Sequence, residues 1–181
     1  MKIQLDGTTK YEVLYADPPW NYHRGPINNG TTITSDIHTH YPTMEQDELE
    51  NMADTINKIA APDSVLYMWA TGPHLANAIQ LGQAWGYKYK QVAYVWDKQQ
   101  GVPGFYTFTS VEFCLVFTRG RVKKVITNRK TKQFHSVRRT RHSEKPHSIR
   151  KAIEQATPNM NRVELFARQE HAGWAVWGNE V

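Results

Sequence analysis

The chain has 181 residues, an apolar fraction of 40% that includes six Trp, and a formal net charge of +5. This is enough apolar material for one core, so residues 1–181 are expected to form one domain. No run approaches the roughly 20 apolar residues that span a bilayer, and Met1 to Lys10 lacks a signal-peptide core, so a soluble cytoplasmic protein is expected. The single cysteine, Cys114, lies in the apolar run Val111 to Phe117, which excludes an internal disulfide and a cysteine-based metal site.

Val13 to Ala16 reads as a short buried strand that ends at Asp17-Pro18-Pro19, because two prolines lack the donors a central strand needs. Asn21 to Pro42 is rich in Gly, Asn, Thr and His without periodicity, the pattern of a mobile lid over a site. Thr43 and Gln46 resemble a capping box, and Leu49, Met52, Ala53, Ile56 and Ala60 recur at helical spacing, which predicts a helix from Met44 to Ala60. Ser64 to Ala70 is predicted as a buried strand. Pro73 then opens a helix carrying Leu75, Ala76, Ile79 and Trp85, with Gly86 as its stop. Strands follow at Tyr89 to Trp96 and Val111 to Thr118, separated by a Gly-Pro loop at Gly101 to Gly104.

Between Arg119 and Lys151 the sequence carries thirteen Lys or Arg against one acid, Glu144. Such a block is the footprint of a surface that meets phosphates, and a solvated loop is the competing reading. Pro146 opens a last helix to Ala156, followed by apolar runs at Val163 to Ala167 and Trp174 to Val176. Alternation of this kind implies an open α/β sheet, Rossmann-like and mostly parallel, with helices on both faces and ligands beyond the carboxyl ends of the strands. That places Asp17 at the mouth of a site.

The tetrapeptide Asp17-Pro18-Pro19-Trp20 is the most specific feature. The amino lone pair of adenine is delocalised into its ring, so a group that alkylates it must accept hydrogen bonds from the amino hydrogens. The Asp17 carboxylate and the Pro18 carbonyl supply two such acceptors, and the prolines hold that carbonyl rigidly. Trp20 offers a flat face for an extruded base, worth about 1–3 kcal/mol. His38, His40, His142 and His147 fit no standard zinc spacing, so no metal is expected.

Five segments in order carry a family resemblance: Leu14 to Tyr22, the pair Trp96 and Lys98, His142 to Pro146, Glu164 to Arg168, and Trp174 to Glu180. Together they resemble the adenine methyltransferases related to the eukaryotic messenger-RNA adenosine methyltransferase, over roughly Tyr11 to Glu180. The resemblance implies a Rossmann-like methyltransferase domain, S-adenosylmethionine as cofactor and the 6-amino group of adenine in nucleic acid as target. It implies that Asp17 works at the amine and beside the methionine part of the cofactor, and that Lys145 contacts the cofactor carboxylate. It further places Glu164 and Arg168 near the ribose hydroxyls and Asn179 and Glu180 at its adenine or ribose. Tyr22, Tyr41, Lys98, Arg129, Lys130, Arg138, Arg139 and Arg141 are the expected substrate contacts.

Glu164 to Gly173 contains no Gly-x-Gly turn, which favours this family over other amino-methylating enzymes. An upstream contact to the cofactor adenine would have to come from Ile3 or Gln4, or be missing. DNA is favoured over RNA as substrate, a homodimer or heterodimer is allowed, and no membrane partner is expected. An RNA methyltransferase, or a non-catalytic nucleic-acid-binding partner of the same fold, are the alternatives.

Overall fold

The computed structural model of the chain describes residues 2–21, 43–103, 106–139 and 144–181. Its strands are β1 (Tyr11–Ala16), β2 (Ala60–Ala70), β3 (Lys88–Pro103), β4 (Phe108–Arg119), β5 (Phe134–Ser136), β6 (Arg162–Leu165) and β7 (Ala175–Trp177). They form one seven-stranded sheet in the order β5-β3-β4-β2-β1-β6-β7. Between the strands lie helices α1 (Gln46–Glu50), α2 (Ala53–Ile59), α3 (Leu75–Ala84) and α4 (His147–Ala156).

Only β4 runs against its neighbours, pairing antiparallel with β2 and β3, while β1–β2, β1–β6, β6–β7 and β3–β5 are parallel. The reason is connectivity: β3 joins β4 directly, and a direct return allows only antiparallel pairing, whereas parallel pairs need a crossover. From β1 the chain moves to one side through β2 and returns on the other as β6. The carboxyl ends of β1 and β6 therefore flank the point where strand order reverses, the place where open α/β sheets bind ligands.

Alternation along β1 decides which face each residue serves. Leu14 and Ala16 pack with Leu49, Ile56, Ile59, Ala78 and Leu81 from α1, α2 and α3. Val13 and Tyr15 pack on the other face with Ile149, Ala152 and Ile153 of α4 and with Trp174. Each fully buried Val, Leu or Ile contributes about 1.5–3 kcal/mol, so both layers hold the sheet flat against its helices.

Several boundaries differ from the sequence expectation. The helix expected from Met44 to Ala60 is two helices, because Asn51 and Met52 relax to ψ −13° and −4° and open the ladder into a turn. Its cap is Glu45 rather than Thr43: Glu48 reaches back to accept the Glu45 backbone N–H at 2.8 Å, completing a capping box two residues later. β2 starts at Ala60, since Ala60 already pairs with Tyr11. The expected loop at Gly101 to Gly104 is instead largely strand, with Val102 and Pro103 paired to Thr109 and Phe108. The lid expected at Asn21 to Pro42 lies, from residue 22 onward, outside the described residues, as do Tyr22, Tyr41, Arg141, His38, His40 and His142. Among the described residues no helix is long and apolar enough to cross a membrane.

Candidate active site

Where β1 stops, the two prolines turn the chain sharply. The Trp20 N–H donates to the Pro18 carbonyl at 2.9 Å, and the Met44 N–H donates to the Pro19 carbonyl at 2.9 Å. The Pro18 carbonyl thus already accepts one bond, leaving its second lone pair for a substrate. Trp20 departs from expectation. It is 7% exposed, donates its indole N–H to the Trp69 carbonyl at 3.2 Å and stacks on His74 with centroids 5.6 Å apart. Its ring anchors the tetrapeptide in the core instead of offering a free face, because a buried indole needs both apolar contact and an acceptor.

Asp17 heads a chain of four alternating charges. Lys145 Nζ lies 2.7 Å from Asp17 Oδ2 and 3.3 Å from Glu112 Oε2, and Glu112 Oε1 lies 3.3 Å from Lys98 Nζ. Trp69 completes the floor, its ring 5.4 Å from the Lys145 ammonium. Burial raises the Asp17 pKa above the ordinary carboxylate range, with Lys145 pulling against it. Burial also opposes the charge on Lys145, but Asp17 and Glu112 outweigh it and hold the ammonium well above the usual lysine range. For Glu112 burial pushes up while Lys145 and Lys98 pull the carboxyl net below its ordinary value. A lysine ammonium has three donors, so Lys145 keeps one for a further anion.

The neighbouring strand ends supply a second polar group. Gly178 packs so tightly that a Cβ there would lie 2.2 Å from the Ala167 carbonyl, and the Ala167 N–H donates to the Trp177 carbonyl at 2.9 Å. This close approach sets Arg168 beside Glu180, Nε to Oε1 3.6 Å, with Asn179 exposed next to it. Arg168 also lowers the Asp17 pKa, so the two strand ends share one field. Glu164 is committed elsewhere: both its oxygens accept from Arg150, at 2.6 and 3.1 Å, and that guanidinium lies 5.1 Å from the rings of Tyr15 and Trp174.

Comparison with known proteins decides what this constellation belongs to. The model of the MT-A70 family matches residues 11–180. The chain belongs to the MT-A70 family. It is 39% identical over 184 residues to the type II methyltransferase M.MunI of Mycoplasma sp, covering 95% of this chain and 78% of that one. It is 31% identical to a putative N(6)-adenosine-methyltransferase MT-A70-like protein of Medicago truncatula, across 99% of this chain and 28% of that protein. With the human N(6)-adenosine-methyltransferase catalytic subunit METTL3 it shares 26% identity, over 95% of this chain and 28% of METTL3. The chain therefore spans about a quarter of these plant and animal relatives and most of the Mycoplasma one.

MT-A70 methyltransferases take their methyl group from S-adenosylmethionine. The residues present fit that cofactor: Lys145 keeps an ammonium donor for a carboxylate, while Arg168, Asn179 and Glu180 offer a donor–acceptor set for a ribose diol beside a strand end where Gly178 brings the backbone close. Glu164, expected near the ribose, is paired through both oxygens with Arg150. The missed member is Glu112. Its signal was in the sequence, a lone acid inside the apolar run Val111 to Phe117, where a buried carboxylate demands cationic partners.

The basic block divides in two. Val137 and Arg139 donate their backbone N–H groups to the Asp97 and Lys98 carbonyls at 3.0 and 3.3 Å, so exposed Arg138 and Arg139 rise along β3 to the mouth beside Lys98. Arg129 and Lys130 are not brought there. Thr127 donates to the Ala156 carbonyl at 3.0 Å, which ties that stretch to the end of α4 remote from Lys145, about 15 Å away along a ten-residue helix.

Proposed function

We propose that the chain transfers the methyl group of S-adenosylmethionine to the 6-amino group of adenine in DNA. The observation that carries this reading is the Asp17 carboxylate, held 2.7 Å from Lys145 at the carboxyl end of β1 and followed by the rigid Pro18-Pro19 turn. When bound, the cofactor supplies an electrophilic methyl at a sulfonium. Asp17 and the free lone pair of the Pro18 carbonyl accept the two amino hydrogens, which returns electron density to the nitrogen and orients it. Lys145 keeps Asp17 ionised against burial and presents its remaining donor to the cofactor carboxylate. After transfer the amine sheds one proton, which the Asp17 carboxylate receives. Arg168, Asn179 and Glu180 hold the cofactor ribose and adenine, and Lys98, Arg138 and Arg139 meet phosphates at the mouth.

The choice of DNA draws on the 39% identity to the type II methyltransferase M.MunI, of which the chain covers 78%. The test is incubation of the protein with labelled S-adenosylmethionine and matched single- and double-stranded DNA and RNA, with nucleoside analysis. The methyl is expected on the adenine amino group of DNA and none on cytosine. Asp17→Ala should lower turnover by about 100-fold, the scale for losing one preorganised group at the reacting centre, with circular dichroism unchanged. A variant turning over near the parental rate would remove Asp17 from the reaction.

A further inference from the structure

The β3–β4 hairpin outruns the sheet that carries it. β2 ends at Ala70, opposite Phe113, while β4 begins at Phe108, so the hairpin projects about five residues, roughly 17 Å, beyond the end of β2, the strand beside the one that carries Asp17. Its apolar side chains are bare. Tyr106 is 98% exposed, Phe108 67% and Val102 57%. Large apolar side chains left bare at the end of a projecting hairpin mark a surface that something covers. The position of Phe108 is specific. Strand alternation sets Phe108, Ser110 and Glu112 on one face of β4, in line with the Lys145–Asp17 pair, and Gly101 gives the Phe108 ring its seat: a Cβ at Gly101 would lie 2.2 Å from that ring.

The hairpin is also fixed in direction. Four residues of β3, Lys98 to Gly101, oppose one of β4, Ser110, and Asp97 braces this bulge by accepting the Gln99 N–H at 3.0 Å and the Ser136 hydroxyl at 2.9 Å. The same brace brings β5 and the exposed Arg138 and Arg139 alongside. Aromatic rings at the tip and guanidinium groups at the flank form a surface with stacking faces and positive charge together. We propose that Tyr106 and Phe108 form a stacking platform for the bases that flank the target adenine, with Arg138 and Arg139 on the adjoining phosphates. The inference rests on the nucleic-acid reading above and adds the place where the strand outside the target nucleotide is held. Stacking on exposed aromatics tolerates any base, so the platform contributes affinity and register without base readout.

The charge beside the rings favours a nucleic acid over a second protein, and the experiment separates them. Affinity is measured by fluorescence anisotropy with single-stranded DNA of about twelve nucleotides, within the span of one single-strand site, carrying one adenine. A matched strand has abasic residues in place of the flanking bases and keeps every phosphate. Binding by the Y106A/F108A double variant should weaken about tenfold or more, with the salt slope and the melting shift produced by S-adenosylmethionine unchanged. The abasic strand should bind the parent and the variant alike. Y106L/F108L, which keeps apolar bulk but no ring, should be as weak as the alanine pair. Parental affinity in the alanine or leucine pair would overturn the platform, as would a parent that binds both strands equally. So would light scattering that finds a dimer which Y106A/F108A dissociates, since the tip would then be a protein interface. Failure of the function reading is seen separately, in the unmodified protein, as no methyl on adenine in any oligonucleotide; the binding comparison reads the platform without turnover.

Discussion

At the scale of single residues the site turns on a carboxylate that burial disfavours and lysine restores. Glu112 contributes in two ways, by positioning Lys145 and by adding a like charge that raises the Asp17 pKa. In Glu112→Gln the like charge is gone while Lys145 keeps its direct 2.7 Å pairing with Asp17, so the Asp17 pKa falls, and the acid limb of the activity profile should move to lower pH. A variant whose limb stays in place would leave Glu112 a purely structural group. Stability gives the opposite handle. The folded Glu112 carboxyl titrates below its ordinary value, so its stabilising contribution is fully present above the ordinary glutamate range and is lost as pH falls through the depressed value. Glu112→Gln should cost about 3 kcal/mol at neutral pH, as for breaking a largely buried pair. Thermal melting should show that difference shrinking towards acid pH. The sequence displayed Glu112 openly as an acid within an apolar strand, but pairing it with Lys98 and Lys145 needed the register of β3 with β4 and the approach of the loop before α4, which no local pattern encodes.

At the scale of elements, the strands that bear the site were legible because apolar runs bounded by Pro and Gly are local signals, and β1, β2, α3 and α4 fall close to their expected places. Two things were not. The β3–β4 hairpin hides behind a Gly-Pro stretch that reads as loop, and its pairing comes from a bulge that accommodates the extra residues of β3. Glu164 reads from family resemblance as a ribose ligand, and the fold shows a pairing the sequence did not, with Arg150, which ties α4 to the Tyr15 and Trp174 rings on its own face of the sheet. Glu164→Gln should therefore cost about 3–5 kcal/mol by leaving a buried guanidinium unpaired. Melting should report that loss without cofactor present, and cofactor affinity measured well below the melting temperature should stay near parental. A parental melting temperature with lost cofactor binding would return Glu164 to the ribose. Gly178→Ala should do the reverse: the new methyl meets the Ala167 carbonyl, pushes the ends of β6 and β7 apart, and weakens cofactor binding by separating Arg168 from Glu180.

At the scale of the whole molecule, the polarity of the sheet sorts the charge. The sequence shows one basic block from Arg119 to Lys151 and implies one surface. In the fold β4 descends away from the site, so Arg119 pairs opposite Ser64 at the amino end of β2, and Arg121, Lys123 and Lys124 follow there, with Lys124 3.7 Å from Asp63. Only after residue 133 does the chain climb beside β3, delivering Arg138 and Arg139 to the mouth. Direction of travel, which composition does not encode, separates two groups of cations that are neighbours in sequence. Their contributions to binding must then differ. Each phosphate contact removed should flatten the dependence of log affinity on log salt by about one. Arg138→Ala with Arg139→Ala is expected to lower that slope by about two, while Arg129→Ala with Lys130→Ala, remote from the site, should leave it near parental for a short oligonucleotide centred on the target adenine. Titrations of both double variants across a salt series check this directly. Equal slopes for the two would mean that the strand wraps down the β5 edge to the carboxyl end of α4, and that the basic block acts as the single surface its sequence suggests.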